Sequence, residues 1–115
     1  MRRNKYNARK VTEDNITFDS IAEYSRYCDL KSLQQAGEIT GLEVHKRFIV
    51  FDAVLDGKRE KVVYEADFIY QENGRTIAED VKGVKTEVFK IKAKLFRARY
   101  PEIDFRTVDQ YGRAV

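Results

Sequence analysis

The 115-residue chain carries 22 Lys and Arg against 19 Asp and Glu, with one His, one Cys, one Pro and no Trp. A lone Cys excludes an internal disulfide framework and any zinc site built from several thiolates, and no apolar run approaches the roughly 20 residues of a membrane span. With 43% hydrophobic residues, seven Tyr and seven Phe, the composition fits one domain that buries roughly two thirds of its unfolded surface. No apolar segment follows Met1-Arg2-Arg3 to make a signal peptide, so a reducing, cytoplasmic compartment and no membrane partner are expected.

The net charge of +3 hides a partition. Residues 1–10 hold five bases and no acid, and residues 83–100 hold six bases against Glu87 alone. The centre of the chain is correspondingly acidic. A basic arm and a basic helix beside an acidic centre suit a protein that binds phosphate and uses metal; a solvated helix with a polar tail would look similar on charge alone.

Taken in order, residues 1–15 lack hydrophobic periodicity and read as a basic, partly mobile arm ahead of a single domain spanning 16–115. Ser20, with Glu23 three places on, has the spacing of a capping box and opens a helix over 20–36 that Gly37 stops. Residues 42–55 are β-rich and end at Asp56-Gly57. A second strand covers 61–71, Asn73-Gly74 is a strong hairpin signal, and a third strand covers 75–82. Val88, Ile91, Leu95 and Phe96 recur at helical spacing in a helix over 86–100 that Pro101 ends. Ile103–Val108 forms a short last strand. The order is α-β-β-β-α-β, and the last helix returns the chain to a strand parallel to the third. The fold class is α/β (α+β), a mixed central sheet flanked by helices.

A two-residue Asn73-Gly74 turn sets Glu72 against Arg75. Continued down the hairpin, that register sets Asp67 opposite Asp80 and Glu65 opposite Lys82, all on one face. Ala66 with Val81 and Tyr70 with Ile77 make the other face, which reads as packing. Facing carboxylates repel, and a divalent cation between them removes the repulsion. Oxygen ligands suit Mg²⁺ or Mn²⁺, the Val81 carbonyl offers one more, and the Lys82 ammonium could position a water or meet the developing charge on a phosphate. An ordinary Glu65–Lys82 cross-strand pair is the alternative. Two roles are open to Glu23, which shares a stripe with Tyr27 and Leu30: reaching the metal, or completing the cap of Ser20.

Together these residues resemble the PD-(D/E)xK nuclease superfamily, whose core has the same α-β-β-β-α-β order. Its acid on the second strand is matched by Asp67 in Tyr64-Glu65-Ala66-Asp67-Phe68. Its (D/E)-x-K is matched by Asp80-Val81-Lys82, and its helix glutamate by Glu23. Position 66 is Ala where the motif has Pro, and position 80 is Asp where Glu is commoner. The likeness runs from about residue 16 to residue 109. It is nearest to small phage endonuclease-like proteins beginning Lys-Tyr-Asn-Ala, as Lys5-Tyr6-Asn7-Ala8 does, and to phage-type endonucleases that resolve Holliday junctions.

The resemblance implies a restriction-endonuclease-like fold and Mg²⁺-dependent hydrolysis of DNA phosphodiesters, with Mn²⁺ able to substitute. Branched or four-way DNA is the implied substrate, a homodimer the implied assembly, and a phage or prophage the implied source. Asp67, Asp80 and the Val81 carbonyl would hold metal, Lys82 would position the attacking water, and Glu23 would hold a second metal or orient the water of the first. Gly83 would let the backbone approach the phosphate. Lys85, Lys90 and Lys94 would contact flanking phosphates, and Arg2, Arg3, Lys5, Arg9 and Lys10 could track a groove or a second duplex. The competing reading is a non-catalytic DNA-binding accessory protein that keeps the fold. His45 reads as a surface or packing residue, Cys28 as a buried thiol, and the strand Tyr and Phe as core.

Overall fold

The computed structural model describes residues 9–115. Arg2, Arg3 and Lys5 lie outside the described residues; Arg9 and Lys10 are exposed. The chain runs β1 (Val11–Glu13), β2 (Ile16–Phe18), α1 (Ile21–Gln35), β3 (Thr40–Leu55), β4 (Lys58–Glu72), β5 (Arg75–Val81), α2 (Glu87–Arg99) and β6 (Asp104–Val108). Strands β3 to β6 form one sheet in the order β3-β4-β5-β6, antiparallel except for the parallel β5–β6 pair that α2 connects. The molecule is therefore an α+β protein built on a mixed sheet. Among the described residues no helix is long and apolar enough to cross a membrane.

Local chemistry accounts for the elements. The Ser20 hydroxyl accepts from the Glu23 N–H at 3.1 Å and caps α1; Thr86 caps α2 in the same way through the Phe89 N–H at 3.1 Å. Gly37 takes φ +79° just past the C-cap of α1, as a left-handed helix stop requires. Asp56-Gly57 and Asn73-Gly74 both have positive φ at each residue, the backbone of a type I′ hairpin turn.

The expected arm is shorter than 15 residues. Val11–Glu13 and Ile16–Phe18 pair antiparallel about Asp14-Asn15, at φ 55° and 63°. Asp and Asn tolerate the left-handed region, so this is a third turn of the same kind. The hairpin escapes a periodicity test because each strand is only three residues long, yet it delivers Phe18, fully buried, to the core.

Consecutive residues of β5 face opposite ways. Ile77 joins a core with Phe18, Tyr27, Leu30, Phe68 and Tyr70 under α1. Ala78 joins a second core with Val50, Tyr64, Ala66 and Phe96 under α2. The sheet thus has a core on each face, and each fully buried Phe contributes on the order of 2–3 kcal/mol. The apolar stripe expected on α2 holds in part: Leu95 and Phe96 pack on the sheet. Val88 and Ile91 are exposed, while Phe89, Ala93, Phe96 and Tyr100 turn to the sheet, because aromatic rings bury more area than the β-branched residues beside them.

Candidate active site

The β4–β5 register follows the expectation from Glu72↔Arg75 to Phe68↔Glu79, then stops one step short of an Asp67↔Asp80 pair. Here the two strands part. Asp67 Oδ2 instead accepts the Val81 backbone N–H at 2.8 Å. Ala66 pairs with Lys46 on its β3 side and has no partner on β5, while Glu65 is exposed and lies opposite Arg47 of β3. The expected Glu65–Lys82 pair is replaced by an ion pair of Lys82 Nζ with Asp80 Oδ1 at 2.9 Å. The reason is a slip in β4. Ala66 packs under α2 and Phe68, two residues on, packs under α1, so strict alternation fails at Asp67.

Opposite that slip stands His45. Val44 pairs with Phe68 and Lys46 with Ala66, and between them His45 takes φ +56°. A left-handed histidine inside a strand is uncommon and costly. It brings Nε2 to 2.6 Å from Glu23 Oε1. One ligand-type atom from each of Glu23, His45 and Asp67 lies within 4.8 Å of the other two. Glu23 is buried on the same helix stripe as Tyr27 and Leu30, and its side chain turns to His45. The His45 ring, expected at the surface or in packing, is 25% exposed and packs 6.0 Å from the Phe18 ring, and it also joins the acidic cluster. The sequence signal for this is slight, one imidazole two places past Glu43 in an otherwise regular strand.

Asp80 is 2% exposed. The Tyr64 hydroxyl donates to its Oδ2. Its Oδ1 receives no hydrogen bond among the described residues, with the Lys82 ammonium its close cation. Lys82 Nζ also sits 4.4 Å from the centre of the Phe89 ring, a cation–π contact that fixes its height above the sheet. Burial, then the charges of Asp80 and Glu23, push the Asp67 carboxyl up to about 9. Burial also raises Glu23, against the pull of His45. Burial and Asp80 hold the Tyr64 phenol far above its ordinary range. The three carboxylates face one ammonium and one imidazole, so the site holds more acid than it can neutralise.

Glu79, next to Asp80, points the other way. Arg26 grips it through two bonds, Nε to Oε1 at 2.8 Å and Nη2 to Oε2 at 2.7 Å, and Tyr70 donates to the same carboxylate. This buried network ties α1 to β5 one residue from the site.

A cavity of about 640 Å³ opens beside Lys82, between the start of α1, the Gly83–Thr86 loop and the Asp109–Tyr111 turn. A second groove, about 410 Å³, collects Lys85, Lys90, Lys94 and Arg97 along α2. Three of these are the expected phosphate contacts. Lys90 is paired to Glu87 at 3.2 Å, and Lys85 donates to the Val115 carbonyl at 2.9 Å. Cys28 is half-buried.

A family model described as "Protein of unknown function (DUF1064)" matches residues 3–111, and the chain belongs to that family. No curated protein matches the sequence, and no solved structure matches it either.

Proposed function

We propose that this member of the family is a metal-dependent endodeoxyribonuclease that hydrolyses DNA phosphodiesters. One observation carries the reading: Glu23, Asp67 and Asp80 converge, largely desolvated, where β4 and β5 part, with Lys82 2.9 Å from Asp80. A fold selected for stability alone has no use for so many buried carboxyl groups side by side. The donor set fits a hard divalent cation such as Mg²⁺ or Mn²⁺, being mostly carboxylate, and the buried Asp80 Oδ1, whose close partner is the Lys82 ammonium at 2.9 Å, would turn to the ion. Asp67, Asp80 and the Val81 carbonyl would hold the ion, and Glu23 would complete its shell or hold a second. When bound, the ion would polarise a phosphoryl oxygen and acidify a water.

The chain's own residues do the rest. The Lys82 ammonium, held between Asp80 and the Phe89 ring, would offset charge on a phosphoryl oxygen as the water attacks phosphorus and one ester P–O bond breaks. At Gly83 an added Cβ would meet nothing within 4 Å, which leaves the 640 Å³ cavity open to a phosphate next to Lys82. The groove of Lys85, Lys90, Lys94 and Arg97 would take a flanking backbone.

The element order supports a restriction-endonuclease-like core of the PD-(D/E)xK kind. Branched or four-way DNA as substrate, a homodimer, and a cytoplasmic phage or prophage setting follow from the sequence resemblance and belong to this proposal. The test is incubation of the protein with linear, flapped and four-way DNA in Mg²⁺, in Mn²⁺ and in EDTA. Cutting with metal and none in EDTA is expected; DNA binding without cutting in any metal would instead fit the accessory-protein reading.

A further inference from the structure

We propose that His45 is a direct nitrogen ligand of the cation at this site, and that it tunes the site toward Mn²⁺ and Co²⁺ over Mg²⁺. The inference rests on the metal reading above and goes beyond its all-oxygen donor set.

The three side chains lie near enough to close into a coordination shell. In an octahedral site with bonds near 2.1 Å, neighbouring ligand atoms stand about 3 Å apart and opposite ones about 4.2 Å. His45 Nε2 and Glu23 Oε1 are 2.6 Å apart, close to an octahedral edge, and the Asp67 oxygen completes a set within 4.8 Å. One ion can therefore meet all three atoms with small rotations of the side chains. A second observation bears on the same cluster. The buried Asp80 takes the Lys82 ammonium at 2.9 Å from Oδ1, and Asp67 forms no ion pair among the described residues.

The backbone places the ring there. The ladder keeps its register through Val44↔Phe68 and Lys46↔Ala66, but Val44 packs under α1 and Phe48 under α2, so φ +56° at His45 marks the point where β3 changes face beside β4. The same turn of the backbone leaves Nε2 at 2.6 Å from Glu23 Oε1. The ring is also held at 6.0 Å from the Phe18 ring, centre to centre, so the hairpin β1–β2 backs it. An imidazole in a carboxylate site favours the later first-row divalent ions, which bind nitrogen more strongly than Mg²⁺ does.

The test measures Mn²⁺ and Mg²⁺ binding by calorimetry and the electron spin echo of bound Mn²⁺, on wild type, His45→Gln and Asp67→Asn. Gln keeps a hydrogen bond to Glu23 but removes the imidazole. Wild type should show ¹⁴N modulation of bound Mn²⁺. His45→Gln should lose the modulation and about tenfold in Mn²⁺ affinity, with Mg²⁺ affinity changed by less than about threefold. The wild-type echo stands whether or not either variant folds. Mn²⁺ that binds wild type without ¹⁴N modulation, and is weakened by Asp67→Asn, overturns the role of His45 and leaves the metal site standing. Wild type that binds neither ion overturns both.

Discussion

The backbone N–H of Val81 donates to Asp67 Oδ2 at 2.8 Å, and this bond takes the place of the next rung of the β4–β5 ladder. It holds Asp67 at the mouth formed by the parting strands, beside Glu23 and near Asp80. Without metal that position favours the neutral acid. The Asp67 carboxyl, ordinarily near 3.8, is pushed up to about 9 by burial and by its acidic neighbours.

A pH dependence of stability follows. Between about 4 and 9 the folded protein keeps a proton that the unfolded chain has released, so this contribution is complete below the unfolded value and is lost as pH rises toward 9. Glu23, also raised, acts with the same sign. Asp14, Asp52 and Asp109 are lowered, and their opposite contribution falls below about pH 4, outside the window. In EDTA the wild type should melt at a lower temperature at pH 8.5 than at pH 5.5, and Asp67→Asn should flatten that fall. Parallel curves for the two proteins would show that Asp67 is ionised throughout.

The Arg26–Glu79 pair supports the site from below. The side chains are 11% and 1% exposed, so removing the cation leaves a carboxylate buried beside Tyr70. Arg26→Met should cost about 3–5 kcal/mol in denaturant unfolding. Gly112 is linked to the same group. At φ +81°, an added Cβ would lie 2.5 Å from Arg26 Cζ, and the guanidinium cannot retreat without releasing Glu79. Gly112→Ala should therefore cost about 1–3 kcal/mol. Its effect should shrink in the Arg26→Met background, which a double-mutant cycle reads directly.

Lys90, Lys94 and Arg97 line one groove with Lys85. Replacing Lys90 and Lys94 by Gln should weaken binding to every DNA shape alike. The slope of log K against log salt should flatten by about 0.9 for each phosphate that the variant no longer neutralises. Melting temperature should barely move, since both side chains are exposed. An unchanged slope would place DNA on another face.

Much of this architecture is legible in local chemistry. Ser20, Gly37 and Asn73-Gly74 each impose a backbone geometry by themselves, so the helix start, the helix stop and the hairpin appear where their residues stand. The stripe Glu23, Tyr27 and Leu30 is a one-helix pattern and is buried as such. What is not legible depends on three dimensions. The slip of β4 at Asp67 arises from how Ala66 and Phe68 divide between two cores. His45 meets Glu23 across 22 residues of sequence and from a left-handed backbone, and Arg26 meets Glu79 across 53. The hairpin of residues 11–18 is too short to show a period. On α2 the expected Leu95 and Phe96 pack on the core, while Phe89 and Ala93 take the places expected of Val88 and Ile91.

The measurement that bears most directly on the central claim separates cutting from binding in Asp80→Asn and Lys82→Ala. Both positions lie at the site, and neither lines the groove of α2. Each variant is assayed with Mn²⁺ on linear and four-way DNA for cleavage under single turnover, and for affinity in Ca²⁺. The account predicts that wild type cuts, that each variant loses roughly a hundredfold or more in rate, and that DNA affinity stays within about threefold. Cleavage by Asp80→Asn at the wild-type rate, or a wild type that binds DNA and cuts none of it, would contradict the account.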